Sequence, residues 1–312
     1  MTLNEAVRKG RELLRASGNG APAGEVGALL CSAVGCERLF LYTHGEMVLD
    51  TVQEQRFLSM LEKRTLGVPL QYLTGGQEFM SLPFKVREGV LVPRPETELL
   101  VETVIACIGG NASAPYNLPS ISTVIEDRMG TMKQGSALND SGIPNLSILD
   151  MGTGSGCITV SLAYYLPNVV VTAVDKMADA LEIARENAVL NGVADRICFV
   201  QSDLFKQLED KKYDVIVSNP PYIRTGDISG LQREVSCYEP MAALDGGPDG
   251  LYFYRAIIKD AWLHLKKNGL LAFETGYDQA TEVAGMMSDD YKEIEIKKDL
   301  SGIDRVVMGR LK

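Results

Sequence analysis

The sequence predicts an α/β fold in which a mostly parallel sheet, covered by helices on both faces, follows a small helical domain and a β-hairpin linker. From residue 147 onward, short apolar runs alternate with amphipathic stretches, a pattern typical of a parallel sheet buried on both faces. The chain then ends on YKEIEIKKD and DRVVMGRL, which read as two alternating strands. The connection between them is too short for a crossover helix, so these last two strands must be antiparallel.

The composition is that of an ordinary globular protein, with 46% hydrophobic and 23% charged residues among 312. The amphipathic N-terminus does not look like a signal peptide, and no apolar run is long enough to cross a bilayer, so we expect a cytoplasmic protein with no membrane partner. Six cysteines without a CxxC pair and only two histidines argue against a metal site and a disulfide framework. The net charge of −10 argues against a nucleic-acid partner. We expect a monomer.

The N-terminal helical domain is predicted over residues 1–67, where apolar residues recur at helical spacing and the Gly-rich segment SGNGAPAG separates helices. Residues 68–95 form the predicted hairpin linker, because glycines and Pro83 punctuate short β-type runs there. Residues 96–312 form the main domain, which begins with a helix at 96–107. Within it, residues 108–146 are rich in Gly, Ser, Asn and Pro without periodicity, which predicts a mobile insertion.

The parallel part of the sheet is predicted from apolar runs at 147–151, 169–174, 197–201, 213–218 and 270–275. Amphipathic helices are predicted between them at 156–165, 178–191 and 250–267. The carboxyl ends of these strands should meet at one edge of the sheet, where ligands bind in such folds.

A glycine-rich loop, in LDMGTGSG, follows the first of these strands. Gly152, Gly154 and Gly156, with Thr153 and Ser155 between them, stand where the chain turns from strand to helix. Glycines there permit a positive φ and leave bare backbone for a ligand. The G-x-G-x-G spacing differs from the G-x-G-x-x-G that is typical of dinucleotide sites.

Three acidic residues stand at the ends of successive strands, namely Asp150, Asp175 and Asp203. Each alone could cap a helix. Together they would repel a pyrophosphate, whereas they suit a ligand with a ribose, an amino group and a positive sulfonium. We therefore predict S-adenosylmethionine as the cofactor, with the Asp175 carboxylate on the ribose hydroxyls and Asp203 or its neighbouring backbone at the adenine.

The fourth strand ends on NPPY, residues 219–222, where two prolines prevent it from continuing. A planar NH₂ group is hard to methylate because its lone pair is delocalised. The Asn219 side-chain carbonyl and the Pro220 backbone carbonyl can accept its two hydrogens and favour a pyramidal nitrogen, while Tyr222 packs on the planar face. Asn-Pro is also a common start of a turn, so the tetrapeptide alone could simply end a strand. At the end of the fourth strand, after a G-x-G-x-G loop on the first, it predicts methyl transfer, with Asn219, Pro220 and Tyr222 as the catalytic residues.

These motifs, together with QYLTG at 71–75 and VPRPETE at 92–98, resemble the PrmC/HemK family of release factor glutamine methyltransferases over nearly the whole chain. The resemblance implies a Rossmann-like class I methyltransferase sheet of seven strands with an antiparallel last strand. It also implies cofactor contacts from the glycine loop, Asp175, Leu204 and Asn219.

For the substrate, the resemblance implies that the glutamine is bound by Asn219, Pro220, Pro221 and Tyr222. It implies further that Arg94, Glu96 and Thr97 of PRPETE line the cleft, although a helix start explains the same residues adequately. Glu274, at the end of the fifth strand, could face the cleft or cap the following helix.

The leading functional hypothesis is methylation of the glutamine in the Gly-Gly-Gln motif of class 1 peptide chain release factors. Residues 1–85, with nine basic and nine acidic side chains, suit a protein contact better than a phosphate backbone. One alternative is a ribosomal-protein glutamine, which residues 1–92 would discriminate. Another is a DNA adenine-N6 or cytosine-N4 methyltransferase, which also uses NPPY but needs a basic groove that this acidic chain does not offer. A third, a non-catalytic cofactor-binding module, is disfavoured by the intact Asn219 and glycine loop.

Overall fold

A computed structural model describes residues 1–18, 24–108, 146–208 and 210–312. These residues form two compact units. The first comprises Met1–Gln77, Val86–Val92 and Ser229–Pro240, and the second comprises Glu78–Lys85, Pro93–Ile228 and Met241–Lys312. The insertion predicted at 108–146 lies, apart from its two end residues, outside the described residues, as does most of the SGNGAPAG segment.

The first unit is mainly helical. Its helices are α1 (Leu3–Ala16), α2 (Glu25–Val34), α3 (Arg38–Thr43), α4 (Thr51–Thr65) and α5 (Leu70–Thr74). Thr2 with Glu5 forms a capping box at the start of α1, and Asp50 with Gln53 forms one at the start of α4. Each box satisfies backbone N–H groups that the first turn leaves without partners. The apolar faces of the helices meet in one buried cluster that includes Phe57.

The segment Ser229–Pro240, from far along the chain, also belongs to the first unit. A buried arginine of α4, Arg64, donates to the Glu25 carboxylate at 2.8 and 3.1 Å and lies 3.0 Å from the Glu234 carboxylate of this segment. The Tyr238 hydroxyl donates to a carbonyl just after α4, that of Leu66, at 3.1 Å. A cation shared by two carboxylates therefore joins the distant segment to the helical core.

A hairpin lies within the predicted linker and consists of β1 (Gly76–Phe79) and β2 (Leu82–Lys85). Met80 and Ser81, at its turn, have φ of 51° and 56°, the positive values that a type I′ hairpin turn requires. Buried Asn187 exchanges hydrogen bonds with the Lys85 backbone, at 2.7 and 3.0 Å, and also donates to the Ser155 carbonyl at 2.9 Å. The hairpin is thereby tied to the glycine-rich loop.

The second unit contains a seven-stranded sheet. Its strands are β3 (Leu146–Met151), β4 (Val169–Asp175), β5 (Ile197–Gln201), β6 (Tyr213–Ser218), β7 (Leu265–Glu274), β8 (Tyr291–Lys298) and β9 (Asp304–Leu311). They lie in the order β5-β4-β3-β6-β7-β9-β8. The pairs from β5 to β7 are parallel, whereas β9 is antiparallel to both β7 and β8. The predicted mostly parallel sheet with an antiparallel last strand is confirmed.

Helices cover the two faces of this sheet. The helices after the hairpin are α6 (Pro95–Ile108), α7 (Cys157–Tyr165), α8 (Ala178–Leu190), α9 (Arg233–Ser236), α10 (Met241–Leu244), α11 (Tyr252–His264) and α12 (Ala280–Met287). All of them except α9, which belongs to the first unit, are part of the second unit. Ile148 of β3 belongs to a core cluster with α6 and α7, while its neighbour Leu149 belongs to a second cluster with α11 and α12. Successive strand residues thus enter opposite cores, which explains the continuous apolar runs. None of the described helices combines the length and the apolar character needed to cross a membrane.

The helix predicted at 250–267 ends earlier than expected, at His264, and β7 begins at Leu265. Leu265 is buried and pairs with Tyr213 across the sheet. The residues that break a helix, Asn268 and Gly269, come only later in the sequence, so the local pattern extended the helix up to them. The boundary depends instead on a tertiary strand pairing.

We expect Arg64→Ala to lower the free energy of unfolding of the first unit by about 3 kcal/mol, because it leaves the carboxylates of Glu25 and Glu234 without their shared cation. Arg56→Ala, at an exposed position of the same helix, should change it by less than about 0.5 kcal/mol. Urea denaturation followed by circular dichroism measures both. Similar small effects of the two substitutions would show that the buried charges do not stabilise this unit.

Candidate active site

The carboxyl ends of β3, β4, β6 and β7 meet at one edge of the sheet, at and beside the point where the strand order reverses. Asp175 and Glu274 end two of these strands, and Asn219 follows a third. The Ser218 hydroxyl donates to the Met151 carbonyl at 2.6 Å, which ties the ends of β6 and β3 together. Residues that lie far apart in the sequence therefore converge at this edge.

The loop after β3 has the left-handed backbone that its glycines predict. The φ angle is 78° at Gly152, 55° at Gly154 and 80° at Gly156. A Cβ added at Gly152 or Gly154 would meet no atom within 4 Å, so this side of the loop is open. A Cβ at Gly156 would lie 2.9 Å from the Cβ of Ala184, so this glycine instead allows α7 to pack closely on α8.

Asp150 is a buried residue that stabilises the glycine loop through hydrogen bonds. Its Oδ2 accepts hydrogen bonds from the hydroxyls of Thr153 at 2.7 Å and Thr159 at 2.6 Å. The residue is wholly buried, and this burial raises the pKa of its carboxyl to about 6 even though the two hydroxyls lower it. Within the described part of the chain, its Oδ1 has no hydrogen-bond partner. A cofactor contact of Asp150 stays a prediction, whereas its support of the loop is observed.

Asp175 lies beside the same loop at the end of β4. Its Oδ2 accepts from the Gly154 N–H and its Oδ1 from the Met177 N–H, each at 2.9 Å. Burial raises the pKa of this carboxyl, and the bonds from the Met177 and Gly154 backbone lower it. A carboxylate oxygen has two acceptor positions, so both oxygens keep capacity for a hydroxyl donor.

The third acidic residue, Asp203, is more exposed than Asp150 and Asp175, and it forms ion pairs with two lysines. It accepts from Lys206 at 2.5 Å and lies 3.8 Å from Lys176, the residue after Asp175. The hydrogen bond from Lys206 is the main cause that lowers the pKa of its carboxyl. The next residue, Leu204, has a φ of 54°, which is strained for leucine. The turn after β5 therefore presents a carboxylate and an apolar side chain near the end of β4.

The NPPY segment leaves the sheet directly after β6. The Asn219 Nδ2 donates to the Thr97 Oγ1 of α6 at 3.0 Å, and among the described residues no hydrogen bond is formed by the Asn219 carbonyl oxygen. Beyond the prolines, Ile223 forms a parallel bridge with Asp245. Its N–H donates to the Leu244 carbonyl at 3.0 Å, and its own carbonyl accepts from the Gly246 N–H at 2.8 Å. The chain is therefore held on both sides of the two prolines.

Sequence reasoning missed the groups that hold the NPPY backbone. The Gln279 Nε2 donates to the carbonyls of Tyr222, at 2.9 Å, and Gly250, at 3.2 Å. A Cβ at Gly250 would lie 2.4 Å from the Tyr222 carbonyl oxygen, and one at Gly246 would lie 2.8 Å from the Pro221 carbonyl oxygen. Only glycine permits these approaches. The available signal was the glycine cluster in DGGPDG, residues 245–250.

Two residues of PRPETE, Arg94 and Glu96, lie near the phenol of Tyr222 at this edge. Burial raises the pKa of Tyr222 to about 12. The negative charges of Glu274 and Glu96 raise it, and the positive charges of Arg305 and Arg94 lower it. Together with the bond from Asn219 to Thr97, these charges show that the start of α6 faces NPPY.

Glu274, for which the sequence left two roles open, faces this edge and does not cap α12, whose N-cap is Gln279. It is only 1% exposed. Burial raises the pKa of its carboxyl to about 7, against the lowering effect of a hydrogen bond from Thr97 and the charge of Arg305. The site therefore contains a buried acid that can change charge near neutral pH.

The strand order, with a glycine loop on one central strand and NPPY on its neighbour, defines a class I methyltransferase. Residues 5–75 match the family model of the PrmC N-terminal domain, and residues 131–233 match that of the Methyltransferase small domain. The chain is 38% identical to the release factor glutamine methyltransferase of Geobacter sulfurreducens over 91% of this chain and 87% of that protein.

The identity is also 38% to the release factor glutamine methyltransferase of Moorella thermoacetica, over 98% of this chain and 97% of that protein. It is 34% to the bifunctional methyltransferase of Rickettsia felis, over 98% of this chain and 58% of that protein. The chain belongs to the release factor glutamine methyltransferase family, which confirms the resemblance inferred from its motifs.

We expect Gly156→Ala to lower the free energy of unfolding by about 3 kcal/mol, because it adds a left-handed backbone penalty to a clash with α8. Gly154→Ala should cost about 1 kcal/mol, since its Cβ would stand in open space and only the backbone is strained. Urea denaturation of the two variants compares them directly. Equal losses would contradict the assignment of Gly156 to helix packing.

Proposed function

We propose that this protein transfers a methyl group to the side-chain amide nitrogen of the glutamine in the Gly-Gly-Gln motif of class 1 peptide chain release factors. The observation that carries this proposal is the Asn219 amide, whose nitrogen is bonded to Thr97 and whose oxygen stays available for a substrate NH₂ group. The curated relatives named as release factor glutamine methyltransferases support the choice of substrate.

S-adenosylmethionine is the proposed cofactor, and the residues present fit it. Gly152 and Gly154 offer open backbone, and the Asp175 carboxylate beside them has acceptor capacity for ribose hydroxyls. Leu204 offers an apolar surface for the adenine, and the acidic side chains at this edge favour a cation and disfavour a pyrophosphate. When bound, S-adenosylmethionine supplies a methyl group on a positively charged sulfur for direct, in-line transfer.

The NPPY segment makes the substrate nitrogen reactive. One amide hydrogen is accepted by the Asn219 Oδ1 and the other by the Pro220 carbonyl oxygen, which favours a pyramidal nitrogen and exposes its lone pair. Pro220 and Pro221 have fixed φ angles, and Gln279 holds the carbonyl of Tyr222, so the acceptors move little. Positioning then supplies much of the acceleration. The methylated nitrogen loses its proton to water, so no histidine is required.

The substrate is a protein loop, and two regions of the chain are proposed to contact it. Arg94, just before α6, and Glu96, in its first turn, lie near Tyr222 and can bind the polar backbone of the loop that carries the glutamine. The helical first unit, with balanced charge over residues 1–85, is proposed to bind the body of the release factor. A free glutamine would lack this second contact.

Incubation with methyl-labelled S-adenosylmethionine should label a purified class 1 release factor, because its Gly-Gly-Gln loop presents the required amide. A factor with Gly-Gly-Ala in place of Gly-Gly-Gln should remain unlabelled. Duplex DNA and ribosomal proteins, offered under the same conditions, test the other acceptors. Label on DNA, preferential label on a ribosomal protein, or label retained by the Gly-Gly-Ala factor would contradict the proposed substrate.

We expect Asn219→Ala to lower kcat by about 10²- to 10³-fold, because it removes one of two acceptors that act on the substrate nitrogen. The Kd for S-adenosylmethionine, measured by calorimetry, should change far less. A thermal unfolding curve serves as the control for the fold. If kcat and cofactor affinity fell together, Asn219 would be chiefly a cofactor-binding or folding residue.

A further inference from the structure

Glu274 is a buried acid to which the proposed chemistry assigns no task. It is the last residue of β7 and is 1% exposed. The hydroxyl of Tyr254 donates to its backbone carbonyl at 2.9 Å and leaves the carboxyl group untouched. Among the described residues, no group bonds to its Oε2. A buried carboxylate lowers the stability of the folded state unless hydrogen bonds or an opposite charge compensate it. A buried acid beside the NPPY segment therefore suggests a functional role.

The neighbours of the Glu274 carboxyl are the two side chains already bonded to each other. The Asn219 Nδ2 donates to the Thr97 Oγ1 at 3.0 Å, and both side chains lie close enough to the Glu274 carboxyl for hydrogen bonding to lower its pKa. The three polar groups therefore form a connected set that comes from α6, the end of β6 and the end of β7.

The directions of these bonds follow from the chemistry of the groups. An ionised carboxylate only accepts, so it selects donors from both neighbours. The Thr97 oxygen already accepts from Asn219, so its own proton is free to go to Glu274. The Asn219 amide must then turn its NH₂ group toward Thr97 and Glu274, which leaves its Oδ1 for the substrate.

We propose that Glu274, acting together with Thr97, is a positioning residue that fixes the orientation of the Asn219 side-chain amide. This inference rests on the proposed methylation of a glutamine amide at the same site. With the opposite orientation, the NH₂ group of Asn219 would face the NH₂ group of the substrate, and two donors cannot bond to each other. The buried acid therefore decides whether Asn219 can act as an acceptor.

Protonation of Glu274 should weaken this control. A protonated carboxyl can donate to the Thr97 oxygen or to the Asn219 carbonyl, so it no longer selects one orientation of the amide. Because the pKa of Glu274 is raised to about 7, mainly by burial, kcat should fall as the pH is lowered through that value. Above it, the carboxylate is ionised and the orientation is fixed.

The other charged or titratable groups that face Glu274 are Arg305 of β9, Glu96 of α6, Tyr222 after β6, Tyr254 of α11 and Cys157 of α7. Arg305 donates to Asp299 at 3.1 Å, so part of its charge is already compensated. The pKa values of both phenols and of the thiol are raised, chiefly by burial, so these groups stay neutral while Glu274 titrates.

The test compares kcat and KM for a release factor across about pH 6 to 8, the range in which the raised carboxyl titrates. Glu274→Gln keeps the size of the side chain but adds a donor and removes the charge, and Thr97→Val removes the hydroxyl. Each should lower kcat by about tenfold or more with little change in KM, because the acceptor is misoriented but still present. Glu274→Gln should also abolish the fall of kcat toward acid pH.

Further variants separate positioning from a general structural role. Thr97→Ser keeps the hydroxyl and should retain most of the activity, and the double variant Glu274→Gln with Thr97→Val should lose no more than either single variant. Glu282→Gln, at an exposed position of α12, is the matched control. Full activity of Thr97→Val would overturn the proposal. It would also be overturned if the kcat of Glu274→Gln still fell toward acid pH as it does in the unmodified protein.

A second measurement does not depend on the substrate. In nitrogen-15-labelled protein, the side-chain amide signals of Asn219, identified by their loss in Asn219→Ala, should shift with a midpoint near neutral pH, and this shift should be absent in Glu274→Gln. If no release factor is methylated, the proposed function fails while this titration still reports on the coupling. Amide signals that do not respond to pH would overturn the inference even if the methylation is observed.

Discussion

The two prolines that follow β6 impose the constraint on which the rest of the site depends. Pro220 and Pro221 have no backbone N–H, so the strand cannot hold its own end with ladder bonds. Support comes from neighbours instead: Ser218 bonds to the end of β3, and Gln279 bonds to the carbonyl of Tyr222. The glycines of DGGPDG let the backbone approach closely enough for this support. The stiffness of NPPY is therefore supplied by several distant segments.

Two acidic residues at the same edge, Asp150 and Glu274, share the same environment: each carboxyl group is buried beside a threonine hydroxyl. Burial raises the pKa of the first to about 6 and of the second to about 7. In each case a threonine hydroxyl faces the carboxyl group: Thr153 for Asp150, and Thr97 for Glu274. A buried ionised carboxyl group costs free energy unless hydrogen bonds compensate it, and those bonds also orient the groups that donate them. Asp150 holds the glycine loop through hydrogen bonds, and Glu274 is proposed to orient the side-chain amide of Asn219.

The parts of the fold that could be predicted are those determined by residue types close together in the sequence. The apolar run at 213–218 and the prolines after it place the end of β6 at Ser218, as observed. The short connection before the last strand requires the antiparallel pair that the structure contains. The end of α11 was not predictable in this way, because the pairing of Leu265 with Tyr213 decides it. Likewise, no local pattern predicts that Ser229–Pro240 belongs to the first unit, where its Glu234 pairs with Arg64.

By itself, the sequence determined the class of chemistry. A glycine loop, strand-end acids and NPPY require particular backbone angles and particular acceptors, and those requirements appear as residue types at short spacing. Only the tertiary structure decided which groups hold and orient these motifs. Thr97, Glu274 and Gln279 come from the start of α6, the end of β7 and the start of α12, and they meet NPPY only after the sheet has formed. Contacts between such distant residues leave no periodicity or spacing in a single sequence, because they depend on how the strands are ordered in space.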